Sequence, residues 1–173
     1  MRDTDAALQD FISGMRAGDF SRLAPAFEGE PPLVRIWSER NAFASAPDVR
    51  AEAFTCACFL GQTTVAQFFI ARGVDPSGGA GTGLNALHWA ANRGQVEAVR
   101  LLLQHGAPLE ARNMYGGTAL GSTVWAAIHE PQPTHATIIE ELLRAGARVQ
   151  DAEYPSGDPT IDAILRRYGA TAA

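Results

Sequence analysis

The chain has 173 residues, 46% of them hydrophobic and 19% charged, with a net charge of −5 at neutral pH. That is enough apolar material for one domain with a continuous core, and it excludes a disordered chain. All 14 basic residues are arginine and they form no basic stretch, which argues against nucleic acid or an anionic membrane as partner and leaves another protein, most easily a basic one.

No run of 18 apolar residues occurs, and the first ten residues, MRDTDAALQD, are acidic rather than a basic start to an apolar leader. The expectation is a soluble, cytoplasmic protein. Arginine used throughout in place of lysine, with abundant Ala and Gly, is the usage of a GC-rich genome and suggests a bacterial source.

In chain order, Leu8, Phe11, Ile12 and Met15 take the spacing of one helix face over residues 4–17. Gly18-Asp19 breaks that helix, and Phe20, Leu23 and Phe27 form a second short apolar stripe. A segment with Pro31-Pro32, LVRIWSER and Ala46-Pro47 follows. The stretch from Arg50 to Pro76 then reads as two helices, the first holding Cys56 and Cys58 and the second Phe68, Phe69 and Ile70. After a glycine-rich junction, DPSGGAGTGLNA, residues Asn85 to Ala107 repeat the arrangement. Leu87, Ala90 and Ala91 make a small-residue face, Gly94 a break, and Val96, Val99 and Leu101 to Leu103 a bulkier face. The junction EARNMYGGTAL leads to a third pair, in which Pro131 and Pro133 stop the first helix. Ile161, Ile164 and Leu165 predict a closing helix over residues 158–168, with Arg166 and Arg167 suited to its C-terminal end.

These pairs recur at a fixed period. Gly94 follows Gly61 by 33 residues, Gly106 follows Gly73 by 33, and Thr118-Ala119-Leu120 follows Asn85-Ala86-Leu87 by 33. With Asn85-Ala86-Leu87-His88, Ala90-Ala91, Gly94, Leu101-Leu102-Leu103 and Gly106-Ala107 in phase, the chain resembles the small stand-alone members of the ankyrin-repeat family. The resemblance implies an all-α solenoid of stacked helix pairs joined by hairpin loops and closed by helical caps. It divides the single domain into a cap at 1–27, an insertion at 28–48, three repeats at 49–147 and a second cap at 148–173.

In that family, hairpin tips and first helices line a concave face that binds other proteins. Carried over position by position, the resemblance implies contact residues Thr82 and Leu84 at one tip, Arg112, Met114 and Tyr115 at the next, and Asn92, Arg93 and Trp125 along the helices. Trp89 either shows an edge there or is half-buried in the stack. Departures from the period add two features. The insertion at 28–48 is expected beside the concave face, where either Trp37, Arg35 and Arg40 reach a partner or Leu33, Ile36 and Trp37 cover the end of the stack. Seven extra residues around 127–133 lengthen the third repeat, at the helix ends away from the hairpins.

Chemistry finds little support in the spacing. Cys56 and Cys58, two apart on a helix, point to different faces and read as buried thiols. His88 falls on the family histidine that ties neighbouring repeats, with Asn85 in place of the usual Thr. His135 takes a helix-turn position, His105 ends a helix, and His129-Glu130 lacks a second histidine one helical turn away. The glycines at 78, 79, 81 and 83 are followed by no Lys-Ser/Thr pair, so a phosphate loop is not supported. Ser122 lacks a neighbouring base, because Gly121 occupies the histidine position. No metal or cofactor is expected. The reading is a protein–protein interaction module; the alternatives are an immunity protein that neutralises a cognate toxin, and a small-molecule binder or enzyme on the same scaffold.

Overall fold

The computed structural model describes residues 2–44, 46–78 and 83–171. Nine α-helices form among them: α1 Arg2–Ala17, α2 Leu33–Glu39, α3 Pro47–Phe59, α4 Thr63–Ala71, α5 Ala86–Asn92, α6 Val96–Gln104, α7 Ala119–His129, α8 His135–Arg144 and α9 Pro159–Arg167. Two 3-10 segments, Phe20–Phe27 and Val149–Asp151, complete the order. The described residues contain no strand, and none of their helices is long and apolar enough to cross a membrane.

Local chemistry starts several of these helices. Asn85 caps α5 by accepting from the His88 N–H at 3.1 Å, and Thr118 caps α7 by accepting from the Gly121 N–H at 3.3 Å. Asp158 accepts two N–H groups at the start of α9, from Thr160 and Ile161, with Pro159 at the first helical position. Short turns join α3 to α4 and α5 to α6, and the longer segment 130–134 joins α7 to α8. At the α5–α6 turn Gly94 has φ +74°, and a Cβ there would lie 2.6 Å from Thr134 Oγ1, so both backbone shape and space require glycine.

The pairs α3/α4, α5/α6 and α7/α8 stack in two layers, with α3, α5 and α7 side by side in one and α4, α6 and α8 in the other. Small residues allow the first layer to close up: Ala53, Ala57, Ala86, Ala90, Ala91 and Ala119 are all buried. Larger side chains fill the space between layers, among them Phe69, Leu102, Ile138 and Leu142. Truncating Leu102 to alanine would cost about 2–5 kcal/mol, because neighbours held in repeats on both sides cannot collapse into the gap. At the ends, α1 packs on α3 and α9 on α8, so one apolar core runs from Phe11 to Leu165.

The insertion differs from expectation. LVRIWSER forms α2, which packs on the first 3-10 segment rather than beside the first-helix layer. Arg35 lies 5.0 Å from the Phe68 ring of α4, and Glu39 pairs with Arg35 and with Arg72 at the end of α4. Trp37 is 3% exposed, with its ring 5.2 Å from that of Phe11. The indole therefore presents no surface to a protein partner. Burial of its large apolar area against α1 outweighs exposure, and the segment serves the cap.

Candidate functional site

The hairpin at 108–117 and the helices α5 and α7 enclose a cleft of about 670 Å³. Leu84, Asn92, Tyr115 and Trp125 line it, so four of the residues implied by position converge on one place from separate repeats. Its base is formed by Gly121 and Ser122. A side chain at 121 is excluded, since a Cβ would lie 2.5 Å from the Asp151 carbonyl oxygen. The 3-10 turn Val149–Asp151 thus packs directly against the position that corresponds to His88 one repeat earlier.

Asn113 holds the hairpin tip rigid. Its Oδ1 accepts from the Tyr115 and Gly117 N–H groups at 2.9 and 3.0 Å, and its Nδ2 donates to Ser122 Oγ at 3.0 Å. Ser122 in turn donates to the Thr118 carbonyl at 2.7 Å, which commits its hydroxyl proton to the helix rather than to a base. The Met114 N–H donates to the Gly83 carbonyl at 2.9 Å, joining this tip to the preceding one. With its backbone pinned in this way, Met114 remains 66% exposed and Tyr115 81% exposed.

Trp125 is 51% exposed and preset in orientation. The His129 ring stacks on it with centroids 4.4 Å apart and planes 14° from parallel, while His129 Nδ1 lies 2.8 Å from the Trp125 carbonyl. In the sequence His129 is weighed only as a metal ligand; its i, i+4 spacing from Trp125 was the available signal for this stacking. Ile128, also exposed, lies one turn beyond Trp125.

The remaining implied residues fare differently. Arg93 sits with its guanidinium 4.9 Å from the Phe59 ring. Arg112 donates to the Gly116 carbonyl and pairs with Asp151 at 2.9 Å, while its side chain remains about half exposed at 54%. Trp89 is half-buried, edge-on to Phe20 and Phe59 with centroids 5.7 and 5.4 Å away. Thr82 lies outside the described residues.

Two buried histidines tie the repeats together. His88 Nδ1 is 2.7 Å from Asn85 Oδ1 and its Nε2 3.1 Å from the Gly117 carbonyl; both partners are acceptors, and a neutral ring supplies a proton to one of them. Burial pulls its pKa below the ordinary value, opposed by the Gly117 carbonyl. His135 accepts from the Gln132 N–H at Nδ1 and donates from Nε2 to the Asn92 carbonyl at 3.0 Å, a neutral tautomer with both nitrogens used. Its pKa is also lowered by burial, against the Asn92 carbonyl and Glu130. Cys56 and Cys58 are buried free thiols whose pKa values burial drives far above the ordinary range. The cleft therefore offers aromatic, amide and aliphatic contact surface on a rigid frame.

Comparison with known proteins agrees with the geometry. A family described as ankyrin repeats in three copies matches residues 53–153. Over 76 residues the chain is 38% identical to probable E3 ubiquitin-protein ligase XBOS33 of Oryza sativa subsp. japonica, a match covering 43% of this chain and 13% of that protein. The chain thus overlaps only a small part of the relative's length. Ankyrin repeats are protein–protein interaction modules. With three stacked helix pairs and more than half its length matched, the chain belongs to the ankyrin-repeat family.

Proposed function

We propose that this protein binds another protein through the cleft between the 108–117 hairpin and α7. The observation that carries this reading is that Tyr115 and Trp125 line one cleft while remaining among the most exposed large apolar side chains. Exposed aromatics on a rigid, hydrogen-bonded support are costly in water and well suited to anchor a partner. Met114 and Leu84 extend the surface along the tips, Asn92 lines it from α5, and Arg93 follows at the end of that helix. A net charge of −5 favours a basic partner. The rice relative is named as a probable ubiquitin ligase, and the chain overlaps only a small part of its length; for this chain we read the likeness as a recognition role. An immunity protein seated on a basic toxin is the narrower form of the same proposal.

A photo-crosslinking residue at position 115, against a control at Gln104 on α6, tests the surface in the native host. Crosslinking from 115 and not from 104 is the expected result. With the partner in hand, Tyr115→Ala combined with Trp125→Ala should weaken binding by about 2 kcal/mol or more. An affinity unchanged within about 0.5 kcal/mol would place recognition elsewhere.

A further inference from the structure

We propose that the junction of α2 with α3 carries a small oxyanion site in which Arg50, Ser38 and Asn41 hold a phosphate group. These three residues line a pocket of about 160 Å³, with Phe43, Ala44 and Pro47 as its apolar lining. That is too small for a drug-sized ligand, whose sites run from about 300 Å³ upward. It is of the order of one small ion with a few waters, each of about 30 Å³.

The three polar side chains share one property. Arg50 is half-buried, yet among the described residues its guanidinium makes no ion pair, hydrogen bond or ring contact. Its unbonded nitrogens are open to solvent rather than sealed in the core. The Ser38 hydroxyl, half-buried, and the Asn41 amide, exposed, likewise have no partner among the described residues, and neither is sealed from water. Arginine is seldom buried without a carboxylate, and its fork of donors matches the paired oxygens of a phosphate. A hydroxyl and an amide NH2 beside it supply donors for the remaining oxygens of a tetrahedral group, where a carboxylate offers only two oxygens in all.

The turn after α2 sets the arrangement. Asn41 has φ +57°, a left-handed conformation that asparagine tolerates; its N–H donates to the Ser38 carbonyl at 3.0 Å, and its own carbonyl accepts from the Ala44 N–H at 3.1 Å. Pro47 opens α3, and Arg50 follows three residues on, nearly one helical turn. The repeat requires none of this. The residue 33 positions before Ala86, where α5 begins, is Ala53, whereas α3 already begins at Pro47. Charge also favours an anion. Arg40, exposed beside Asn41, has no ion pair among the described residues, while the nearby carboxylates are engaged, Asp48 with Arg16 and Glu39 with Arg35 and Arg72. A chain of net charge −5 is thus locally positive at this pocket. The site shares no residue with the cleft of the third repeat, so it stands or falls independently of the partner-binding reading.

The test titrates the whole nitrogen-15-labelled protein with inorganic phosphate against chloride at matched ionic strength. Saturable shifts are expected at the Arg50 side-chain Nε–H and the Asn41 amide, and none at Asn113 in the cleft. Arg50→Gln should weaken phosphate binding by about tenfold or more, the worth of a hydrogen bond to a charged group. Ser38→Ala and Asn41→Gly, the second of which keeps the left-handed turn, should each cost about fivefold, and they carry the test should Arg50→Gln not fold. Arg40→Gln, next to the pocket but outside its lining, should change affinity by less than about twofold. Acetate should bind about fivefold more weakly than phosphate or worse. Methyl phosphate separates the sources: affinity equal to that of phosphate assigns the site to a phosphoryl group on a larger molecule, and a loss of about tenfold assigns it to the free ion. An absence of saturation, unchanged affinity in the Ser38 and Asn41 variants, a loss in Arg40→Gln as large as in Arg50→Gln, or equal affinity for acetate would each overturn the proposal.

Discussion

His135 Nε2 lies 3.0 Å from the carbonyl of Asn92, the residue whose side chain walls the cleft one repeat away. This bond, with that from Thr134 Oγ1 to the Gly94 carbonyl at 2.7 Å, fastens α8 to the α5–α6 turn. The seven extra residues of the third repeat therefore do more than extend its solvent edge. They let α7 run to His129, setting Trp125 against it, and then return the chain to the central repeat.

Because His135 is buried in its neutral form, its folded pKa lies below the ordinary histidine value of 6.5. The unfolded chain then binds the proton more readily, so the stability is fully present above about pH 6.5 and is lost as pH falls through that value toward the folded pKa. Thermal unfolding midpoints between pH 8 and pH 5 should show this decline, and His135→Gln should have a shallower one. Equal slopes would show that His135 does not couple to folding.

Asn113→Ala removes an acceptor for two main-chain N–H groups and a donor to Ser122. It should cost about 2 kcal/mol in denaturant unfolding, since each hydrogen bond contributes about 0.5–1.5 kcal/mol and the partners regain water only in part. Amide exchange at Tyr115 and Gly117 should quicken more than exchange in α6.

Tyr115→Ala and Trp125→Ala should each change unfolding free energy by less than about 1 kcal/mol, because exposed side chains lose little burial when truncated. Chemical denaturation of the single variants checks this. A large loss at either position would assign that residue to the scaffold and remove it from the proposed contact surface.

At Gly83, φ is +82° and a Cβ would fall 2.9 Å from Met114 Cβ. Gly83→Ala should destabilise by about 1–2 kcal/mol from backbone conformation alone, with the clash adding to it. Met114→Ala in the same chain should recover only part of the loss, since its own Cβ remains. Full recovery in a double-mutant cycle would contradict the close approach of the two tips.

Cys56 and Cys58 should resist a thiol reagent at neutral pH in the folded protein and react together on unfolding, because burial raises both pKa values and blocks access. Rapid labelling of one thiol under native conditions would indicate that α3 opens locally.

Much of the fold was legible before the structure. The in-phase glycines at 61, 94, 73 and 106 and the small-residue faces of the first helices identify α3 to α6 as stacked pairs, because every repeat must satisfy the same packing with its neighbour. The helix α2 was not legible. Seven residues are too few to show a helical period, and burial of Val34 and Trp37 depends on the apolar surface offered by the cap. In the site, Tyr115 and Trp125 were legible as large aromatics at positions where the repeat has no core to fill. The pairing of Arg112 with Asp151 was not, since the partners are 39 residues apart.

By itself, then, the amino-acid sequence determined the repeat register, the capping helix α9 and the positions facing away from the core, all of which follow from interactions within a helix or between adjacent units. Only the tertiary structure decided which of those positions stay exposed and how they are oriented. Exposure and orientation depend on neighbours distant along the chain: the cap buries Trp37, Asp151 orients Arg112, and the 3-10 turn fills the space beside Gly121. Exposed together, on a frame held by Asn113 and His129, are Met114, Tyr115 and Trp125, with Arg112 beside them.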